Sequence, residues 1–293
     1  MNLLTDTIYA GLAGVRLHVD SFELGHGLRL DRTYSHFMAP FIMAFALPEV
    51  GQPHPGPWKS VDGGMAIDIQ VQLTIPDSFA LSNFFDRLNT AWWITALTRL
   101  RAAPRAHMPV IANRAFGEIP LDSDSASILP VEVQPRRLAA SLGTKELGAD
   151  DLLWIQSVWI QGGRLMDSSK DFNAAFQALD SASAMPTKDL AMLTMWGALE
   201  RLFSPSNSEI RFRVAVNIAS YLEPPGAERK ELARRIKKLY DARSSVAHGR
   251  ELNSPDSWME TQSLAGRILI QMLDRGKVPT QDDLDDALFS SGI

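Results

Sequence analysis

The chain has no cysteine among its 293 residues, which excludes disulfides, thiol nucleophiles and thiolate metal sites. That absence fits a reducing compartment, and a soluble cytoplasmic protein is the expectation. A long hydrophobic run is missing too. The most apolar early stretch, His36 to Val50, is interrupted by Pro40 and Pro48, and it falls short of the roughly 20 residues that span a bilayer. Met1 to Leu12 carries Asp6 and no basic cluster, so it does not read as a secretory signal. No membrane association is expected.

Conventional catalytic signatures are equally scarce. The sequence contains no phosphate loop ending in Gly-Lys-Ser/Thr, no Gly-x-Ser-x-Gly elbow and no His-Glu-x-x-His. Five histidines, His18, His26, His36, His54 and His107, lie in the first half without ligand spacing and read as surface or loop residues. No metal and no cofactor are implied. A basic excess is also lacking: the formal net charge is -5, so any case for a polyanion partner has to be local.

What is present is an ordinary globular composition, 45% hydrophobic and 22% charged, with enough apolar residues for a sizeable core. The first half reads as mixed α and β. From Met65 to Ile75, Met65, Ile67, Ile69, Val71, Leu73 and Ile75 alternate with mostly polar residues, the period-two pattern of a strand with one buried face. Pro76-Asp77-Ser78 ends it and offers N-caps for a helix over Leu81 to Arg101. Weaker strands are expected at Gly14–Val19, Leu28–Tyr34, His107–Ala112 and Ser127–Val133. Gly51 to Pro57 reads as a loop.

From about Asp150 the pattern becomes helical throughout. Helices are expected over Asp150–Met166, Ser169–Ala182, Thr187–Phe203, Ser208–Leu222 and Ala227–Ala247. Ser254 and Pro255 supply an N-cap and a first-turn proline for a further helix to Asp274. A short acidic helix follows Thr280. The fold class expected is therefore α+β, a mixed α/β domain with an antiparallel sheet over 1–145 followed by an all-α bundle over 146–293. The tryptophans at Trp92, Trp93, Trp154, Trp159 and Trp196 sit among aliphatics and read as core.

The helical half has a single histidine, His248, five residues after Arg243. Between Gly226 and Arg250 stand eight basic residues (Arg229, Lys230, Arg234, Arg235, Lys237, Lys238, Arg243, Arg250) against three acids (Glu228, Glu231, Asp241), a local surplus of +5. Such a cluster suits a polyanion, and equally a solvated helix face.

Two motifs flank this cluster in order. The first is Trp196-Gly197-Ala198-Leu199-Glu200-Arg201-Leu202-Phe203. The second runs from Leu239-Tyr240-Asp241-Ala242-Arg243-Ser244 through Val246-Ala247-His248-Gly249. Over about Thr187 to Leu273 the chain resembles the HEPN superfamily, and within it the Apea-like branch, which shows an ALE-x-L helix followed by a helix ending LYD-x-RS-x-x-x-HG. It departs at Ala247, where a larger aliphatic is common. The resemblance implies a HEPN-like helical bundle that often dimerises, bringing two Arg/His pairs into a shared cleft. Family members include metal-independent ribonucleases of defence and toxin–antitoxin systems, and others that only bind RNA.

Carried over by motif position, Arg243 and His248 are the catalytic pair and Glu200 an orienting or structural acid. Arg234, Lys237, Lys238 and Arg250 are candidate RNA contacts. The expected function is a metal-independent endoribonuclease acting as a homodimer; the alternative is a non-catalytic RNA-binding or protein-interaction module whose first 145 residues hold a partner. The residue types suit the chemistry: RNA brings its own 2′-hydroxyl nucleophile, histidine moves a proton near neutral pH, and a guanidinium forks across phosphate oxygens. Five residues of helix turn through about 500°, leaving Arg243 and His248 about 140° apart. A shared site then needs a loosened helix end at Gly249, a long reach by Arg243, or a second protomer.

Overall fold

The computed structural model describes residues 6–80, 82, 84–121, 123–134, 136–203, 209–249 and 256–289. The first half holds strands β1 (Ile8–Ala13), β2 (Val15–Leu17), β3 (Ser21–Gly25), β4 (Leu28–Ala44) and β5 (Trp58–Ile75). Helix α1 (Arg87–Arg101) and strands β6 (His107–Ala112), β7 (Ile128–Pro130) and β8 (Lys145–Leu147) complete it. Six strands form one sheet in the order β3-β4-β5-β1-β6-β7, every pairing antiparallel. A second, two-stranded sheet joins β2 and β8 in parallel.

The period-two strand at Met65–Ile75 is present as the C-terminal part of β5, in register with β1 from Ile8↔Ile75 to Leu12↔Val71. β1 itself is central and buried along nearly its whole length. A strand enclosed on both faces shows an apolar run in place of alternation, so its sequence carries no period. β4 and β5 are both longer than their patterns indicate and pair out to Ala44↔Trp58.

Helix α1 begins at Arg87, six residues after the expected start at Leu81. Its N-cap is Asp86, whose carboxylate accepts the Asn89 N–H at 2.7 Å, and not Asp77 or Ser78. The intervening Phe79, Phe84 and Phe85 pack into the core as an irregular segment. Arg87 pins that segment by donating to the Asp77 carbonyl at 2.7 Å.

After β8 come α2 (Ala149–Ser168), α3 (Lys170–Ala182), α4 (Lys188–Phe203), α5 (Ile210–Leu222), α6 (Ala227–Ala247), α7 (Asp256–Arg275) and α8 (Gln281–Phe289), with no strand among the described residues. The expected helix entry at Ser208 and the Ser254–Pro255 cap lie outside those residues. One hydrophobic core runs from Ile8 on β1 through Trp93 on α1 and Trp159 on α2 to Leu273 on α7. Trp93 Nε1 donates to the Trp159 carbonyl at 2.8 Å, and Trp159 Nε1 to the Leu24 carbonyl at 2.9 Å. Buried indoles are thus satisfied by backbone oxygens, tying α1, α2 and β3 together. Among the described residues no helix is long and apolar enough to cross a membrane.

Candidate nucleic-acid interface

Helix α6 starts after Gly226 and ends where Gly249 takes φ +75°, the left-handed turn that glycine tolerates without strain. Ile236, Leu239 and Val246 are its buried side. On the solvent side, Lys230, Arg234, Lys238 and His248 are exposed and Lys237 is half-buried. At about 100° per residue, Lys230, Arg234, Lys237 and His248 fall within about 60° of one another around the axis, with Lys238 at the margin of the stripe. His248 is the C-cap residue; its N–H still donates to the Ser244 carbonyl at 3.2 Å. The imidazole therefore sits on the line of that stripe but beyond the exposed Asp241, which interrupts it, and has no side-chain partner among the described residues.

Arg243 turns the other way. Its Nη2 lies 3.0 Å from Glu200 Oε1 and donates to Oε2 at 3.3 Å, joining α6 to α4. Both side chains are about four-fifths covered, and the guanidinium stands 5.4 Å from the centroid of the Tyr240 ring. Burial and a hydrogen bond with Glu200 raise the Tyr240 pKa. The motif residues Glu200, Tyr240 and Arg243 thus form one interhelical cluster, while His248 stands apart from it on the exposed face. The structure brings Arg243 and Glu200 together; it does not bring Arg243 to His248 within one chain.

Several cations of the local surplus already have partners. Arg234 pairs with Glu231 at 2.8 Å and Arg235 with Glu260 at 2.9 Å. Arg229 donates to the backbone carbonyls of Glu223 and Ala287, both at 2.9 Å. Lys230 and Lys238 have no partner among the described residues, and Arg250 lies outside them. Lys237 places its ammonium 4.8 Å from the ring centroid of Phe212 on α5, a ring 52% exposed. Phe212 was not legible as a functional residue because a lone aromatic between Arg211 and Arg213 on an amphipathic helix reads by type as a packing residue. Its ring is exposed beside the lysine stripe.

A second charged cluster is buried between the two halves. Arg99 on α1 forks onto Asp180 on α3 at 2.6 and 2.8 Å. Arg136 also bonds Asp180, and Glu132 reaches both arginines at 3.4 Å. Burial alone would raise the Asp180 pKa; the two guanidinium groups outweigh it and hold the carboxyl below its usual range. His107 is buried beside this cluster, contrary to a surface reading, and burial pushes its pKa down. Acids and guanidinium groups pair throughout this cluster, with Arg136 Nε alone among its nitrogens left buried without a hydrogen bond, so the cluster is a structural tie, the condition under which buried charge is tolerated.

Among the described residues, no group of three or more His, Asp and Glu could hold a metal ion. No protein-family model matches the chain, and neither a curated protein nor a solved structure is found to be similar to it.

Proposed function

We propose that the chain binds single-stranded RNA along the outer face of α6. The observation that carries the reading is the stripe of exposed Lys230, Arg234 and Lys238 with half-buried Lys237, flanked by the exposed ring of Phe212. Ammonium groups along a helix replace condensed counterions on the phosphates. An adjacent aromatic face stacks an unpaired base whatever its identity. This combination favours single strands, because bases in a duplex are already stacked. Fluorescence anisotropy with a labelled single-stranded RNA tests it: the wild type binds and Phe212→Ala binds several-fold more weakly. Absence of binding at low salt would overturn the proposal.

A second reading, metal-independent cleavage of the bound RNA, is favoured by the exposed imidazole of His248 on the line of the same stripe. In this chemistry a neutral imidazole takes the 2′-hydroxyl proton and the oxygen attacks phosphorus. The 5′-oxygen then leaves with a proton from solvent, giving a 2′,3′-cyclic phosphate. The HEPN resemblance supports this reading through its motifs alone. Arg243, committed to Glu200 within its own chain, would serve here by positioning α6 against α4. The transition-state cation would then come from a second copy.

A further inference from the structure

A cavity of about 340 Å³ lies where α1 meets two helices of the second half. Helix α1 supplies Leu100 to its wall, α3 supplies Phe176 and Leu179, and α7 supplies Gly266 and Ile270. Small-molecule sites typically measure about 300–1,000 Å³ and are walled mostly by apolar side chains with a few polar groups. None of Lys230, Arg234, Lys237 and Lys238 lines the cavity, so it is separate from the α6 stripe.

Packing does not require the glycine at 266. It stands in the middle of α7, where glycine is less favourable than alanine. A Cβ there would meet only Leu100 Cδ1, at 3.7 Å, an ordinary contact. At Gly162 on α2, by contrast, a Cβ would run into Leu273 at 2.5 Å and Trp93 at 2.8 Å. Gly162 makes room for its neighbours; the missing side chain at 266 leaves space in the cavity.

The polar groups of the wall have hydrogen-bonding capacity left over. Arg99, Asp180 and Ser183 line the cavity together. Arg99 Nη2 carries two N–H groups, and among the described residues it donates to Asp180 Oδ2 alone. Asp180 Oδ1 accepts only from Arg99 Nε among those residues. The Ser183 hydroxyl accepts from Arg136 and donates to none of them. Charge, however, is already balanced. Arg99 is paired with Asp180, and half-exposed Arg267 with Glu223. A charged ligand would lose its water here without gaining a free counter-ion.

We infer that this cavity binds an uncharged heterocycle with an amide-like edge, its body against Phe176, Leu179 and Ile270 and its edge toward Asp180, Arg99 and Ser183. Apolar walls favour the body because contact removes its surface from water. An adjacent N–H and C=O fill the spare acceptor and the spare donors at once. A carboxylate or an ammonium fills only one kind and brings an unbalanced charge.

Saturation-transfer difference NMR on the full chain tests this with 2-quinolone, an uncharged bicycle that carries such an edge. The wild type transfers saturation to 2-quinolone at millimolar concentration. N-methyl-2-quinolone, which lacks the N–H, binds several-fold more weakly, and quinoline-2-carboxylate gives no signal. Gly266→Leu fills the cavity from α7 and abolishes the 2-quinolone signal with an unchanged circular dichroism spectrum. Ile270→Trp, one turn further along, does the same and carries the test if Gly266→Leu does not fold. Both variants keep wild-type RNA affinity, so this inference and the RNA reading stand or fall separately. No transfer to 2-quinolone in the wild type overturns the inference, as does a signal that survives in a folded filling variant. Equal binding of the N-methyl compound or of the carboxylate overturns it too.

Discussion

Arg243 and His248 lie five residues apart on α6 and face different sides of it: the guanidinium is held against Glu200 on α4, and the imidazole stands in solvent at the helix C-cap. The pair therefore divides into a packing residue and an exposed imidazole. Arg243→Ala should lower stability by about 1.5–3 kcal/mol, the usual value of a hydrogen bond to a charged group. It should leave RNA affinity close to wild type. A double-mutant cycle with Glu200→Gln, read by urea denaturation, should show strong coupling. Additive losses would mean that the contact carries no energy.

His248 contributes nothing to that cluster, so its removal should leave the fold untouched. With purified protein and single-stranded RNA in EDTA, the cleavage reading predicts 2′,3′-cyclic phosphate ends from the wild type. His248→Ala should yield none while melting at the same temperature. Equal cutting by the variant would place the chemistry elsewhere. Binding without any cutting would leave RNA binding as the sole activity.

The buried Arg99–Asp180–Arg136 cluster and its neighbour His107 set the acid limb of stability. Both titrating groups have folded pKa values below their unfolded ones. Their contributions are complete above the unfolded values and are lost as pH falls below them. Thermal stability should decline first below about pH 6.5 as His107 is forced to protonate, and again below about pH 4 as Asp180 does. His107→Gln should remove the first decline. Asp180→Asn should cost about 3–5 kcal/mol at neutral pH, because it strands two buried guanidinium groups. A melting temperature flat from pH 7 to 5 in the wild type would contradict the His107 assignment.

How legible these features were in the sequence follows from their range. Helix α6 could be bounded at Ala227 and Ala247 because Gly226 and Gly249 punctuate it locally. The strand ending at Ile75 was visible through its alternation. The start of α1 was not: Asp77 and Ser78 are good caps by type, but burial of Phe79, Phe84 and Phe85 keeps that segment irregular until Asp86. From Phe37 to Ala44, β4 is apolar at every position and so shows no period-two signal. Arg99 and Asp180 are 81 residues apart in sequence, and no local pattern announces such a pair. The Arg243–Glu200 contact joins residues 43 apart in sequence and was indicated only through the motif position of Glu200 as an orienting or structural acid. The stripe from Lys230 to His248 could have been found by carrying the helical angle forward from the first lysine.

The central claim is that RNA lies along that stripe, and the most direct measurement is the salt dependence of its affinity. Anisotropy titrations of single-stranded RNA from about 50 to 200 mM salt give the slope of log affinity against log salt. Lys230→Ala and Lys238→Ala should each weaken binding and each flatten the slope by about 0.7, one phosphate contact on a single strand. The two together should flatten it by about twice as much, with the melting temperature unchanged. A double variant with wild-type affinity and wild-type slope would contradict the account, because RNA would then be bound on some other surface or not electrostatically at all.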